Sequence, residues 1–231
     1  ETAARFARDG VLCVESLLPA DRLAWLREAF AAPLEHGDGR RAGVRGLLES
    51  MCPQADAVRA LAVSPEVHGF AAALIGPDAV AVRGTLFDKS PEANWGVPWH
   101  RDERLELAGR VESSFWQEWK RSEGRWTARP PQEFLLKMVA VRVHLDDCGP
   151  GAGPLRVRLG SHRTERDDAG RAVACVTPAG GAVAMCPAAL HASGWAEFPQ
   201  PGGRRRVIHL EYGPPDLPYG GRWRHQLRPD D

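Results

Sequence analysis

Near residue 78 the spacing of apolar residues changes from helical to strand-like, and it changes only once along the chain. Before that point, residues 2–9 read as a helix and 11–14 as a short extended piece. Pro19-Ala20-Asp21 opens a second helix, for which Asp21 is the expected cap, with Leu23, Leu26 and Phe30 recurring on one face. Residues 55–63 and 65–75 read as two more helices; Pro65 falls in a first turn, where a missing N–H costs nothing, and Gly76-Pro77-Asp78 ends the run. Beyond it, residues 79–89, 138–147, 155–159, 181–186 and 205–212 alternate with period two and are separated by Pro- and Gly-bearing loops. Short strands with such turns point to an all-β barrel or jelly roll rather than to βαβ units. Helices first and strands afterwards place the helices on one outer face. The expected fold is therefore mainly β with flanking helices. One domain is expected over residues 1–231: a mostly helical outer layer at 1–78, and a β core at 79–231 interrupted by an inserted segment at about 103–137.

Two strands show what that core encloses. Val139, Val141, Val143 and Leu145 share a face opposite Ala140, Arg142, His144 and Asp146. In the last strand, Arg206, Ile208, Leu210 and Tyr212 oppose Arg205, Val207, His209 and Glu211. The polar faces suit either solvent or a polar cavity inside a barrel whose outside packs on helices. Histidine and arginine on one face favour the cavity.

Charge restricts the partners. Thirty basic residues balance thirty acidic ones, so neither nucleic acid nor an anionic membrane is an expected partner. No stretch approaches the roughly 18 apolar residues of a membrane span. Cys13, Cys52, Cys148, Cys175 and Cys186 are odd in number and show no CxxC spacing, which argues against a zinc ribbon or a disulfide scaffold and for free thiols in a reducing cytoplasm. No signal peptide is visible; the chain starts at Glu1 rather than Met, so a trimmed leader stays open.

The segment Val97-Pro98-Trp99-His100-Arg101-Asp102 carries a His-x-Asp, whose two side chains on a strand point to the same side. His191 can complete a triad of two histidines and a carboxylate, an arrangement that leaves three positions open on iron(II). Alone, His-x-Asp is a weak signal, and a surface histidine beside an aspartate is its plain alternative. Arg205 follows His191 by fourteen residues. Facing a cavity, its fork can bind the distal carboxylate of 2-oxoglutarate, with Ser193 donating a further hydrogen bond. Its alternative is a solvated basic turn, Arg204-Arg205-Arg206.

Four stretches then carry a resemblance. They are Phe6-Ala-Arg-Asp-Gly-Val11; His100-Arg-Asp102; Val143-His-Leu-Asp-Asp147 with Gly153-Pro-Leu155 and Gly160-Ser-His162; and His191-Ala-Ser193 leading to Arg205-Arg-Val-Ile-His-Leu-Glu-Tyr212. In this order, over nearly the whole chain, they resemble the phytanoyl-CoA dioxygenase-like branch of the iron(II)/2-oxoglutarate oxygenases. The resemblance implies a double-stranded β-helix, the cupin-like jelly roll. It also implies iron(II) on His100, Asp102 and His191, 2-oxoglutarate on Arg205 and Ser193, and oxygen as second co-substrate. The implied reaction is hydroxylation of an unactivated C–H bond of a small molecule, with release of succinate and carbon dioxide. Arg101 and Leu159 depart from the residues common in relatives, and neither is an expected ligand. The rival readings are a cupin-type metalloenzyme independent of 2-oxoglutarate and a non-catalytic binding relative. Substrate identity and oligomeric state are not legible.

Among the remaining residues, His144 and His209 are expected as hydrogen-bonded interior histidines, His162 as packing or capping a turn, and Asp146 as structural, while His36, His68 and His225 suggest no chemistry. Lys89 either touches co-substrate or substrate, or closes a solvated strand end. Phe115, Trp116, Trp119 and Trp126 form either a surface helical turn packed on the barrel or a lid. Under the second reading Trp116, Trp119 or Trp126, with Arg101, contacts substrate.

Overall fold

The structure, a computed structural model, describes residues 1–33, 43–122, 124–168, 170–199 and 202–230. His36 lies outside the described residues. The helical layer comprises α1 (Thr2–Asp9), α2 (Ala20–Ala29), α3 (Pro53–Ala62) and α4 (Pro65–Ile75), with the short strands β1 (Val11–Val14) and β2 (Gly43–Arg45) between them. Pro19, not Asp21, is the cap residue of α2; Asp21 sits in its first turn, where a carboxylate favours the helix dipole. Ser64 caps α4, its hydroxyl accepting from Val67 N–H, and Pro65 takes the first helical position. None of these helices is by itself long and apolar enough to cross a membrane.

The remaining strands are β3 (Val80–Lys89), β4 (Val97–His100), β5 (Leu105–Leu107), β6 (Gln117–Ser122), β7 (Arg125–Arg129), β8 (Val139–His144), β9 (Leu155–Arg158), β10 (Ala172–Cys175), β11 (Ala182–Met185), β12 (His191–Ser193) and β13 (Arg205–Gly213). A short helix, α5 (Gln132–Leu135), precedes β8. Six strands form one antiparallel sheet in the order β1-β11-β8-β13-β3-β2, and four form a second in the order β10-β9-β12-β4. This is a jelly roll, mainly β with flanking helices. Two-faced burial decides between the two readings of the polar faces. Every residue of β8 is buried, and His209 and Glu211 are as closed to solvent as Ile208 and Leu210. The outer face of β13 meets the helices, where the buried Tyr212 hydroxyl donates to the Ala62 carbonyl at 2.7 Å. The inner face meets a cavity.

The segment at 103–137 is not a helical turn. It folds as a third antiparallel sheet, β5-β7-β6, followed by α5. Trp116 is fully buried there, packed edge-on against Phe115 and Phe134, with its indole N–H on the Pro218 carbonyl at 3.1 Å. Gly221 lies so close to that indole that a Cβ would sit 2.8 Å from it. Trp119 meets Trp126 edge-on across β6 and β7, and Arg121 lies over the Trp126 ring.

Candidate metal centre and its cavity

β4 and β12 are neighbours in the four-stranded sheet, and their register pairs His100 with His191. The rings lie 4.2 Å apart between centroids. Asp102 follows β4, its backbone N–H held by the Pro187 carbonyl, and its carboxylate reaches both imidazoles: Oδ1 is 3.5 Å from His100 Nε2, and Oδ2 is 3.5 Å from His191 Nε2. The three ligand atoms lie within 4.8 Å of one another.

The other ring nitrogens fix which atoms face inward. His100 Nδ1 is 2.9 Å from the Pro98 carbonyl, and His191 Nδ1 is 2.9 Å from the Ala189 carbonyl. A carbonyl only accepts, so each Nδ1 carries the proton and each Nε2 turns its lone pair toward Asp102. Burial holds His191 at about 4, hence neutral, as a ligand must be. Burial opposes ionisation of Asp102. The His100 imidazole beside it and the Arg83 guanidinium outweigh it and keep this carboxyl well below the usual range. The same carboxylate raises His100, so a metal ion takes the place of a proton at its Nε2. With both imidazoles neutral, the two histidines and one ionised carboxylate fit a divalent transition metal with open positions. A second cluster, Asp102, His209 and Glu211, does not fit. Arg83 Nε donates to Glu211 Oε1 at 2.8 Å, and both nitrogens of His209 are engaged, Nδ1 with Arg142 and Nε2 with Glu211.

The loop before β12 is held from behind. Ser161 Oγ donates to the Arg158 carbonyl at 2.6 Å and accepts from Leu190 N–H at 2.9 Å. Its neighbour His162 meets the Ala7 carbonyl, and Gln132 donates to the His162 carbonyl. Gly160-Ser161-His162 thus ties α1 and α5 to the strand that carries His191.

All three expected ligands line a cavity of about 470 Å³ between the two sheets. Arg205, Ser193, Lys89 and Arg101 line it too. Trp116, Trp119 and Trp126 do not; the aromatic groups at the cavity are Phe87 and Trp95. Arg101 is buried, and its guanidinium is taken up by the 161–167 loop, by the Thr164 and Arg166 carbonyls at 3.1 and 3.2 Å and by Asp167 at 3.1 Å. Lys89 is buried rather than solvated. Arg205 faces the cavity while Arg206 faces away, its guanidinium paired with Asp146 at 2.7 Å. His209 is hydrogen-bonded as expected, but His144 is not: neither of its buried nitrogens has a partner among the described residues. Sequence reasoning put Arg142 with His144 on the face favoured for the cavity but gave it no role there, and it did not single out Arg83 or Thr85.

A jelly roll whose four-stranded sheet brings two histidines and a carboxylate together at the wall of a basic cavity defines a class of metalloprotein. The chain belongs to the phytanoyl-CoA dioxygenase (PhyH) family, whose profile matches residues 6–196. No curated protein matches the chain significantly. Among solved structures, AviO1 from Streptomyces viridochromogenes Tue57 is similar at 24% identity and a TM-score of 0.65, over 94% of this chain and 95% of that one. The epimerase SnoN, in complex with Fe3+, alpha ketoglutarate and nogalamycin RO, is similar at 19% identity and a TM-score of 0.64, over 95% and 90%. The non-heme alpha ketoglutarate dependent carbocyclase SnoK from nogalamycin biosynthesis is similar at 16% identity and a TM-score of 0.63, over 93% and 83%. At these identities the likeness establishes the fold.

Proposed function

We propose that this protein is an iron(II)- and 2-oxoglutarate-dependent oxygenase that hydroxylates a C–H bond of a small molecule. The observation that carries the reading is one cavity with two complementary ends. At one end are three inward ligand atoms, two of them imidazole nitrogens whose tautomers are fixed by backbone carbonyls. At the other is a buried arginine, Arg205, whose hydrogen bond among the described residues is to the neutral Gly153 carbonyl. A dicarboxylate co-substrate satisfies both ends at once. Bound iron(II), with the keto acid and oxygen, supplies the oxidising power that breaks a C–H bond, the co-substrate leaving as succinate and carbon dioxide.

The chain's own contribution is positioning. His100, Asp102 and His191 hold the metal from one side, so that substrate and co-substrate approach from the cavity. Arg205 and Ser193 orient the far carboxylate. Phe87, Trp95, Val97 and Leu155 supply the apolar wall against which a substrate packs and from which water is displaced. Arg45, also on the lining, makes an acidic substrate the favoured class, while the Arg104 guanidinium is taken up by Glu118 and Thr127. Arg101 is not available for that role. The similar structures include an epimerase and a carbocyclase, so the experiment below distinguishes those outcomes from hydroxylation.

The test is a screen of candidate small molecules against protein loaded anaerobically with iron(II) and 2-oxoglutarate, then exposed to oxygen. A true substrate is expected to raise succinate release and to gain one oxygen atom by mass spectrometry. Succinate with a product of unchanged mass replaces hydroxylation by epimerisation, and loss of two hydrogens replaces it by ring closure or desaturation. Turnover of a substrate without succinate excludes the 2-oxoglutarate reading.

A further inference from the structure

The deep end of the cavity is basic without an acid. Lys89 and Arg205 are register partners on β3 and β13, and Arg142 projects from β8 on the same inner face. All three are closed to solvent, at 1%, 4% and 8% exposure respectively. Their protein partners are neutral. Lys89 Nζ donates to the Gly194 carbonyl at 2.7 Å and lies over the Trp95 ring; Arg142 Nη1 meets His209 Nδ1 at 3.0 Å; Arg205 Nη2 reaches the Gly153 carbonyl at 3.4 Å. The Nε atoms of both arginines and both nitrogens of His144 have no hydrogen-bond partner among the described residues. The remaining titratable group beside Lys89 is Cys148, whose thiol is pushed up by burial and stays neutral.

Among the described residues no carboxylate lies within ion-pair distance of the three; Asp102 acts on Arg142, and Asp146 and Asp88 on Arg205, only from further away, so the three buried cations repel one another and a proton lost from one of them relieves this. A guanidinium keeps its proton; a lysine can give its proton up. Burial first, then the charges of Arg205 and Arg142, bring Lys89 down to about 7. A carboxylate arriving among the three reverses the balance, because it attracts the charge that the arginines repel.

We propose that Lys89 joins Arg142 and Arg205 in holding the far carboxylate of the dicarboxylate co-substrate, and that it takes up a proton from solution as that carboxylate seats. The proposal rests on the functional reading above, from which the dicarboxylate is taken. The proton passes from buffer acid to the neutral ε-amine, and no covalent bond to carbon changes. Arg142 is aimed by His209, which Glu211 and Arg83 hold in turn, so the site is set from the outer end of β13 as well as from Arg205.

The experiment is a calorimetric titration of nickel(II)-loaded protein with 2-oxoglutarate in HEPES and in Tris, whose ionisation enthalpies differ. A base at about 7 is about one-tenth charged at pH 8, so uptake of roughly 0.9 proton per ligand is expected there, falling to roughly 0.1 at pH 6. Affinity is expected to fall as pH rises from 7 to 9. Lys89→Arg, which keeps the charge and does not titrate, is expected to bind with no uptake and with little pH dependence. Lys89→Met is expected to lose the uptake and about tenfold or more in affinity. Tight binding to the parent with equal heats in both buffers at pH 8 overturns the inference alone, and so does uptake that survives in Lys89→Met. No binding of 2-oxoglutarate to the metal-loaded parent overturns the functional reading, and the inference with it.

Discussion

The inward pair at the metal end is made by two backbone carbonyls as much as by the histidines themselves, and this decides how single replacements behave. His191→Ala or Asp102→Ala removes a ligand atom, so iron(II) affinity is expected to fall by more than the roughly 10–100-fold that loss of an outer-shell partner costs. Metal titration under anaerobic conditions checks this, and an unchanged affinity in His191→Ala removes it from the ligand set. At the other end, Arg205 and Arg206 are consecutive but face opposite ways. Arg205→Ala is expected to raise the 2-oxoglutarate requirement far more than the iron requirement. Arg206→Ala loses the Asp146 pair and a bond to the Phe30 carbonyl, so it lowers stability and spares co-substrate binding. Reversed behaviour of the two would mean that the cavity face of β13 is the other one. Lys89 also gives a stability signature without ligand. Its folded value of about 7 lies below the unfolded value near 10.4, so between those pH values the unfolded chain binds more protons and stability rises with pH. Denaturant midpoints of parent minus Lys89→Met are expected to increase from pH 7 to 10; a flat difference says that Lys89 is charged in the free protein.

At the level of elements, long periodic segments were legible, and so were the four-residue strands β1, β9 and β11. β3, β8 and β13 carry enough alternation to be read, and α1 and α4 match their expected bounds. Other short strands were not legible. β2, β5, β10 and β12 are three or four residues long, too short to show a period, and their conformation is set by neighbours. Motif order grouped His100, Asp102 and His191, which the structure brings together; alternation put Arg142 on the inner face, but its contact with His209 depends on register across β13 and was not legible. The sheet β5-β7-β6 was hidden for a related reason: its aromatic residues read equally as lid or packing. The buried state of Trp116 favours packing. Trp116→Ala is expected to cost about 3–5 kcal/mol, seen as a lower denaturation midpoint, while iron(II) and 2-oxoglutarate affinities hold. A mutant of parent stability that releases succinate without product would instead return Trp116 to the substrate side.

Across the whole molecule, β13 separates two kinds of consequence, because stability is gathered on its outer face and chemistry on its inner one. Tyr212 and His209 lie three residues apart on that strand, and their environments share almost nothing. Tyr212 is buried against the helical layer and its hydroxyl is bonded to the Ala62 carbonyl at the end of α3. His209 faces the cavity, between Arg142 and Glu211. Tyr212→Phe keeps the ring in place and removes only the hydroxyl, leaving a buried carbonyl with one acceptor site unmet, which costs about 1–3 kcal/mol. For a chain of this size that is a fall of several degrees in the melting midpoint. Because the helices pack on the far side of the sheet from the metal, iron(II) and 2-oxoglutarate affinities are expected to match the parent. His209→Ala should divide the other way. The three ligands remain, so iron(II) binding persists, but Arg142 loses the partner that aims it and 2-oxoglutarate binding weakens, with some loss of stability from the space left behind. Paired measurements of melting midpoint and of ligand affinity in the nickel(II)-loaded proteins separate the two. If Tyr212→Phe weakens 2-oxoglutarate as much as His209→Ala does, the sheet transmits strain from the helical layer to the cavity, and the division between its faces does not hold.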